Sequence, residues 1–158
     1  MKLFHGSNVE VKYPKIRTNL RALDFGAGFY LTSSREQAVR WAKTVVRRRR
    51  KGQAILNIYE LDEDNLKTFK VLRFETANEK WLDFVVNNRK ELPIENQYDI
   101  VIGPVANDAT LPVIDDYMDG VYTKEEAVKR LLPQNLSDQY AFLTNEALEG
   151  LVFEGSEV

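Results

Sequence analysis

The residue types able to do chemistry are few in this chain of 158 residues, and their scarcity excludes several classes at once. With no cysteine, there is no thiolate nucleophile, no disulfide and no cysteine-held zinc or iron–sulfur centre. With His5 the single histidine, no histidine-rich metal centre can form within one chain. The patterned positions that stand out are His5 followed by Gly6-Ser7, the pair Gly26 and Gly28 ahead of Tyr30, and the cationic run Arg47 to Lys51. Gly26 and Gly28 look like a fragment of a phosphate loop, but they lack the full dinucleotide or Walker pattern and precede a strand, which argues against a Rossmann site. Asp62 to Asp64 lacks the ordered ligand spacing and terminal Glu of a calcium loop, so it reads as a solvated turn. Asn107 and Asp108 fit a loop beside a cleft or an Asx-turn.

These residues must be held by elements the pattern itself suggests. Met1 to His5 reads as a strand ending at Gly6-Ser7, and Val9 to Leu23 as a long loop. Phe29 to Thr32 is a short β-prone run. Ser33 or Ser34 can cap a helix with Glu36 and Gln37 in its first turn, and Ala38, Trp41, Ala42, Val45 and Val46 recur at the spacing of one apolar face. Arg47 to Lys51 complements the dipole at that helix's end, and Gly52 can terminate it. Gln53 to Leu61 and Lys67 to Phe74 resemble a hairpin around the acidic turn. Thr76 with Glu79 forms a capping box for a helix through Asn88 that Pro93 stops, and Tyr98 to Ile102 returns to strand before Gly103-Pro104 breaks it. Two short helices follow, Val113 to Met118 and Thr123 to Leu132, with Pro133 and Asn135 ending the second. Asp138 to Thr144 alternates as a strand, Gln139, Ala141 and Leu143 on one side and Tyr140 and Phe142 on the other. A short helix over Asn145 to Leu151 and a final strand from Leu151 to Phe153 close the chain. Unequally placed helices among short strands predict an α+β fold.

The order of Leu3-Phe4-His5-Gly6-Ser7, then Phe25-Gly26-Ala27-Gly28-Phe29-Tyr30-Leu31, then Trp41 eleven residues after Tyr30, resembles the ADP-ribosyltransferases. The likeness is to their histidine-tyrosine branch, which includes poly-ADP-ribose polymerases and diphtheria-type toxins. Gly103 to Asp108 and Gln139 to Thr144 are also similar to a small bacterial family of that fold. The resemblance implies a split central β-sheet with flanking helices, spanning residues 1–158 as a single domain. It implies NAD as ADP-ribose donor, with His5, Gly6, Ser7, Gly28, Tyr30 and Trp41 binding it. In that scheme His5 contacts the adenosine ribose, Gly6 presents main-chain groups to the carboxamide, and Tyr30 and Trp41 sandwich nicotinamide. His5, Tyr30 and Gln139 would be the catalytic set. Gln139 stands where the family usually has a glutamate, and an amide can hydrogen-bond a ribose hydroxyl without following the charge that develops on the ribose. The expectation is mono-ADP-ribosyl transfer, slow or substrate-dependent, without polymer synthesis.

Composition sets the surroundings. Hydrophobic residues at 44% and charged residues at 29% suffice for a folded core, and the net charge of −2 gives no overall attraction to nucleic acid or anionic membrane. Any polyanion must meet a local patch such as Arg47 to Lys51, which is also an ordinary solvated helix end. No stretch has the length of a signal peptide core or a membrane span, so a cytoplasmic protein without membrane contact is expected. The implied partners are a macromolecular acceptor (protein, DNA or RNA) and, by the resemblance, a cognate antitoxin protein. Two other classes fit: an NAD-binding regulatory domain with weakened transfer, and a protein-interaction domain using the basic helix end.

Overall fold

A computed structural model describes residues 1–16, 24–90, 98–106, 109–134 and 136–158. The architecture is a mixed α+β fold with two β-sheets and flanking helices. One sheet has the order β1 (Lys2–Ser7), β3 (Ile55–Leu61), β7 (Leu151–Glu157), all antiparallel. The other has the order β2 (Phe29–Leu31), β6 (Asp138–Phe142), β5 (Ile100–Pro104), β4 (Val71–Arg73), with only β4 and β5 parallel. Among the described residues a single main-chain pair joins the sheets: Phe4 N donates to Thr32 O at 2.8 Å and Thr32 N donates to Phe4 O at 2.9 Å.

Alternation along each strand decides which side chains meet. Leu3, Tyr59 and Leu61 from the first sheet pack against Leu31, Ile100, Ile102, Tyr140 and Phe142 from the second, making an inner core between the sheets. On the outer face of the second sheet, Val101 and Ala141 are covered by three helices, α2 (Glu79–Arg89), α3 (Leu111–Met118) and α4 (Lys124–Leu131). Trp81 of α2 anchors this second core; its ring is fully buried and its Nε1 donates to Pro104 O at 2.9 Å. A buried side chain of that size is worth roughly 3–5 kcal/mol against alanine. The remaining outer face belongs to α1 (Arg35–Arg49), which lays Ala38, Ala42 and Val45 on β1. A short α5 (Asn145–Leu148) leads into β7.

Local chemistry explains where these elements start and stop. Ser34 caps α1 by accepting from Gln37 N at 3.2 Å, and Thr123 caps α4 by accepting from Glu126 N at 3.2 Å, as the sequence predicts. Four expectations are corrected. Arg50, not Gly52, takes the left-handed position that ends α1, its N–H bonding Val46 O at 2.7 Å. Asn78, not Thr76, caps α2 by accepting from Trp81 N at 3.0 Å. No hairpin joins β3 and β4: Asp62 caps a 3-10 turn over Glu63–Thr68, and β4 then pairs with β5 in the other sheet. Gly103-Pro104 does not break β5, because both residues pair with β6 and Pro104 is the last of the strand. Pro93, Asn107, Asp108 and Asn135, and the end of the loop expected over Val9 to Leu23, lie outside the described residues.

Candidate functional site at the split between the sheets

β1 and β2 part immediately beyond the Phe4–Thr32 pair. Because main-chain groups two residues apart in a strand point the same way, the N–H and C=O of Gly6 face the β2 side, as those of Phe4 do. A continued ladder would give Gly6 the Tyr30 carbonyl; instead that carbonyl is bonded to Nδ1 of His5 at 2.7 Å. The imidazole thus holds the parting open and leaves the Gly6 main chain directed into it. A carbonyl only accepts, so the proton of neutral His5 sits on Nδ1 and Nε2 keeps its lone pair. His5 stacks on Phe29 with centroids 4.2 Å apart, and its pKa is lowered to about 4, chiefly by burial and further by Arg49, against an opposing effect of the Tyr30 carbonyl. It is neutral at pH 7. Ser7, beside it at the end of β1, is buried and paired in register with Ile55.

Paired residues share a face, so the outer face of one sheet continues into the outer face of the other through Phe4 and Thr32. Gly6, on that face, is covered by α1 at very short range: a side-chain carbon there would lie 2.1 Å from Ala38 O and 2.7 Å from Ala42 N. Tyr30 and Gln139 also lie on the outer face, Tyr30 opposite Ala141 in β6 and Gln139 two residues along from it. The Tyr30 hydroxyl donates to Gly26 O at 2.6 Å and accepts from Phe25 N at 2.9 Å, tying down the turn that precedes its own strand. Burial pushes that phenol well above the usual range. Arg89 and Asn88 of α2 hold the same turn from outside, through Asp24 Oδ1 at 2.9 Å and Asp24 O at 3.1 Å. Gly26 takes a φ of +107°, and Gly28 approaches Phe142 O too closely for any side chain.

Gln139 is 8% exposed, and its Nε2 is the buried side-chain nitrogen or oxygen that lacks a hydrogen-bond partner among the described residues. Its cross-strand neighbour is Gly103, where Phe74 and Phe25 close in to 3.1 and 3.2 Å of the position a side-chain carbon would take. The adjacent Asp138 cannot substitute as a free carboxylate, since both its oxygens are engaged by Thr32 and Ser33. In the sequence, only Ser33 ahead of the helix signals that clamp.

Trp41 is 43% exposed and stacks under the Arg48 guanidinium, 5.2 Å from the ring centroid. It therefore leaves the apolar face assigned to it from the sequence. At about 100° per residue it stands on the flank of α1 turned away from β3 and β7, on the side where the split opens. The structure thus brings Gly6, Tyr30 and Gln139 onto one face with Trp41 at its rim, and turns the His5 ring and Ser7 to the inner face. The opposite flank of α1 borders a groove of about 290 Å³ lined by Arg35, Val39, Lys43, Ala54, Leu56 and Glu157. Its carboxylate is already paired with Arg35, and none of those residues belongs to the split. Among the described residues no His, Asp and Glu cluster could hold a metal ion, and no helix is long and apolar enough to cross a membrane.

Two sheets joined at one residue pair, with three helices over one outer face and one over the other, define a mixed α+β protein. A family model described as "Protein of unknown function (DUF3990)" matches residues 1–153, and the chain belongs to that family. No curated protein and no solved structure matches it.

Proposed function

We propose that the chain is an NAD-dependent mono-ADP-ribosyltransferase of the histidine-tyrosine branch, its two sheets forming that fold's split sheet and the parting of β1 and β2 its NAD cleft. The observation that carries this reading is the orphaned amide of Gln139: a buried donor without a partner costs about 1–3 kcal/mol, and a bound hydroxyl or phosphate oxygen would offset it. It stands on the face that also holds Tyr30 and the unladdered main chain of Gly6. NAD supplies a ribose carbon from which nicotinamide leaves with the bonding pair while an acceptor nucleophile bonds that carbon and gives up its proton.

Each residue has a defined part. Gly6 N–H and C=O are a donor and an acceptor for a carboxamide. Tyr30 and Trp41 offer aromatic faces on either side of the parting. His5, neutral and with its ring on the inner face, acts through Nδ1, holding the Tyr30 carbonyl away from the Gly6 main chain. Gln139 orders a ribose hydroxyl but brings no negative charge to stabilise a cationic ribose, so turnover is slow. The acceptor is a macromolecule, and a neutralising antitoxin protein is the partner such an enzyme needs in its own cell.

The test uses isotopically labelled NAD with host protein, DNA or RNA, reading free nicotinamide and transferred label by mass spectrometry. Wild type should transfer single units, His5→Ala and Gln139→Ala should lose at least tenfold while folded, and Gln139→Glu should gain about tenfold or more. Equal activity in all variants, or persistent polymer, would overturn the assignment. The uncharged Gln139 favours one second reading, an NAD-binding regulatory domain; binding of NAD with no nicotinamide release, even in Gln139→Glu, would select it.

A further inference from the structure

Residues 35–51 hold eight of the 22 basic side chains and one acidic side chain, a charge of +7 in a chain whose total is −2, which leaves −9 for the rest. This concentration exceeds what a helix end requires. One or two cations complement the dipole, whereas further ones at three-and-four spacing repel each other. Few are neutralised: Arg35 pairs with Glu157 and Arg40 with Glu36, while Lys43, Arg47, Arg48, Arg49, Arg50 and Lys51 have no carboxylate in ion-pair range among the described residues. Lys43, Arg47, Arg48, Arg50 and Lys51 are exposed.

An exposed aromatic lies within this cationic helix: Trp41 is 43% exposed, with the Arg48 guanidinium 5.2 Å over its ring. Guanidinium groups bind phosphate through paired N–H donors and stack on bases, and an exposed ring with cations around it is a platform for an unstacked base. An acidic peptide would use the charge but leave the ring idle, and a duplex hides its base faces.

We propose that α1 from Trp41 to its carboxyl end is a docking surface for single-stranded nucleic acid. This does not rest on NAD chemistry. The test is fluorescence anisotropy of the full chain with labelled single-stranded RNA and DNA of about 20 nucleotides, a matched duplex, and polyglutamate as competitor. Single strands of either kind should bind saturably, more tightly than duplex, with a salt slope of about −3 to −4 for five or so phosphate contacts. Lys43→Glu with Arg47→Glu should weaken binding at least tenfold at unchanged melting temperature, and Lys43→Gln with Arg47→Gln should weaken it less. Trp41, in contact with Arg48, should change its emission on binding, and Trp41→Phe should abolish that change, since Trp81 is buried. The proposal is overturned by no saturable binding at low salt, by unchanged affinity in the folded reversal variant, by tighter duplex binding, or by polyglutamate competing as well as oligonucleotide.

Discussion

At the scale of single residues, the site depends on polar groups held in states that cost stability. His5 is kept neutral by burial, with a pKa of about 4 in the folded chain against 6.5 for the free side chain. Between those values the unfolded chain binds the proton and the folded chain resists it, so His5's contribution is fully present above pH 6.5 and is lost as pH falls toward 4. Denaturant unfolding of wild type against His5→Asn, whose amide can still donate to the Tyr30 carbonyl, should show the wild type losing up to ~3 kcal/mol relative to the variant across that window. Parallel profiles would mean that His5 titrates freely. Gln139 poses the complementary case. Replacing it with leucine removes an unsatisfied buried donor from the face that holds Ala141, so Gln139→Leu should raise stability by about 1–2 kcal/mol while abolishing transfer. A shift of the urea midpoint downward instead would show that the amide is satisfied in the folded protein.

Elements differ in how far their sequence determines them. α1 and α4 were legible because cap, acidic first turn and apolar spacing lie within a few residues of one another. α2 shows how such local evidence goes astray: Thr76 and Asn78 both precede Glu79 plausibly, and tertiary packing of the fully buried Trp81 selects the later one. Asn78→Ala should therefore cost ~1 kcal/mol, and Thr76→Ala less than about 0.5 kcal/mol, in thermal or chemical unfolding. Equal losses would restore the earlier cap. β4 was misassigned for a different reason. Its parallel partner β5 lies across the whole of α2, and no residue of β3 or β4 records that pairing, whereas the acidic turn between them imitates a hairpin. β6 was read correctly as alternating, but both of its faces are buried, so its pattern could not say that Gln139 stands among apolar neighbours. Trp41 was misread because a helix flank 60° from the buried stripe looks, by spacing alone, like part of it. Gly6 and Tyr30 stand out in the sequence only by their order in the chain; that they flank one opening depends on the Phe4–Thr32 pair, which no local pattern encodes.

For the whole molecule, the consequence is a fold with unequal seams. Within each sheet the strands share ladders of three to six residue pairs, but among the described residues the sheets themselves share the single pair Phe4–Thr32 at one edge and the inner core between them. A seam with two main-chain hydrogen bonds can open without unfolding either sheet, and such sub-global openings set local exchange rates. Native-state hydrogen exchange should then rank the amides in three groups. Those of Val101 and Ala141, in central strands with both faces covered, should exchange only by global unfolding. Those of Phe4 and Thr32 should exchange sooner, with a denaturant dependence well below the global value. That of Gly6, directed into the parting, should exchange soonest. Saturating NAD should slow Gly6 most and Phe4 and Thr32 next, because a ligand spanning the parting binds only the form in which both edges are in place. Protection gained uniformly over the chain would point to global stabilisation alone, and protection gained elsewhere, with Gly6 unchanged, would remove the parting of β1 and β2 as the binding cleft.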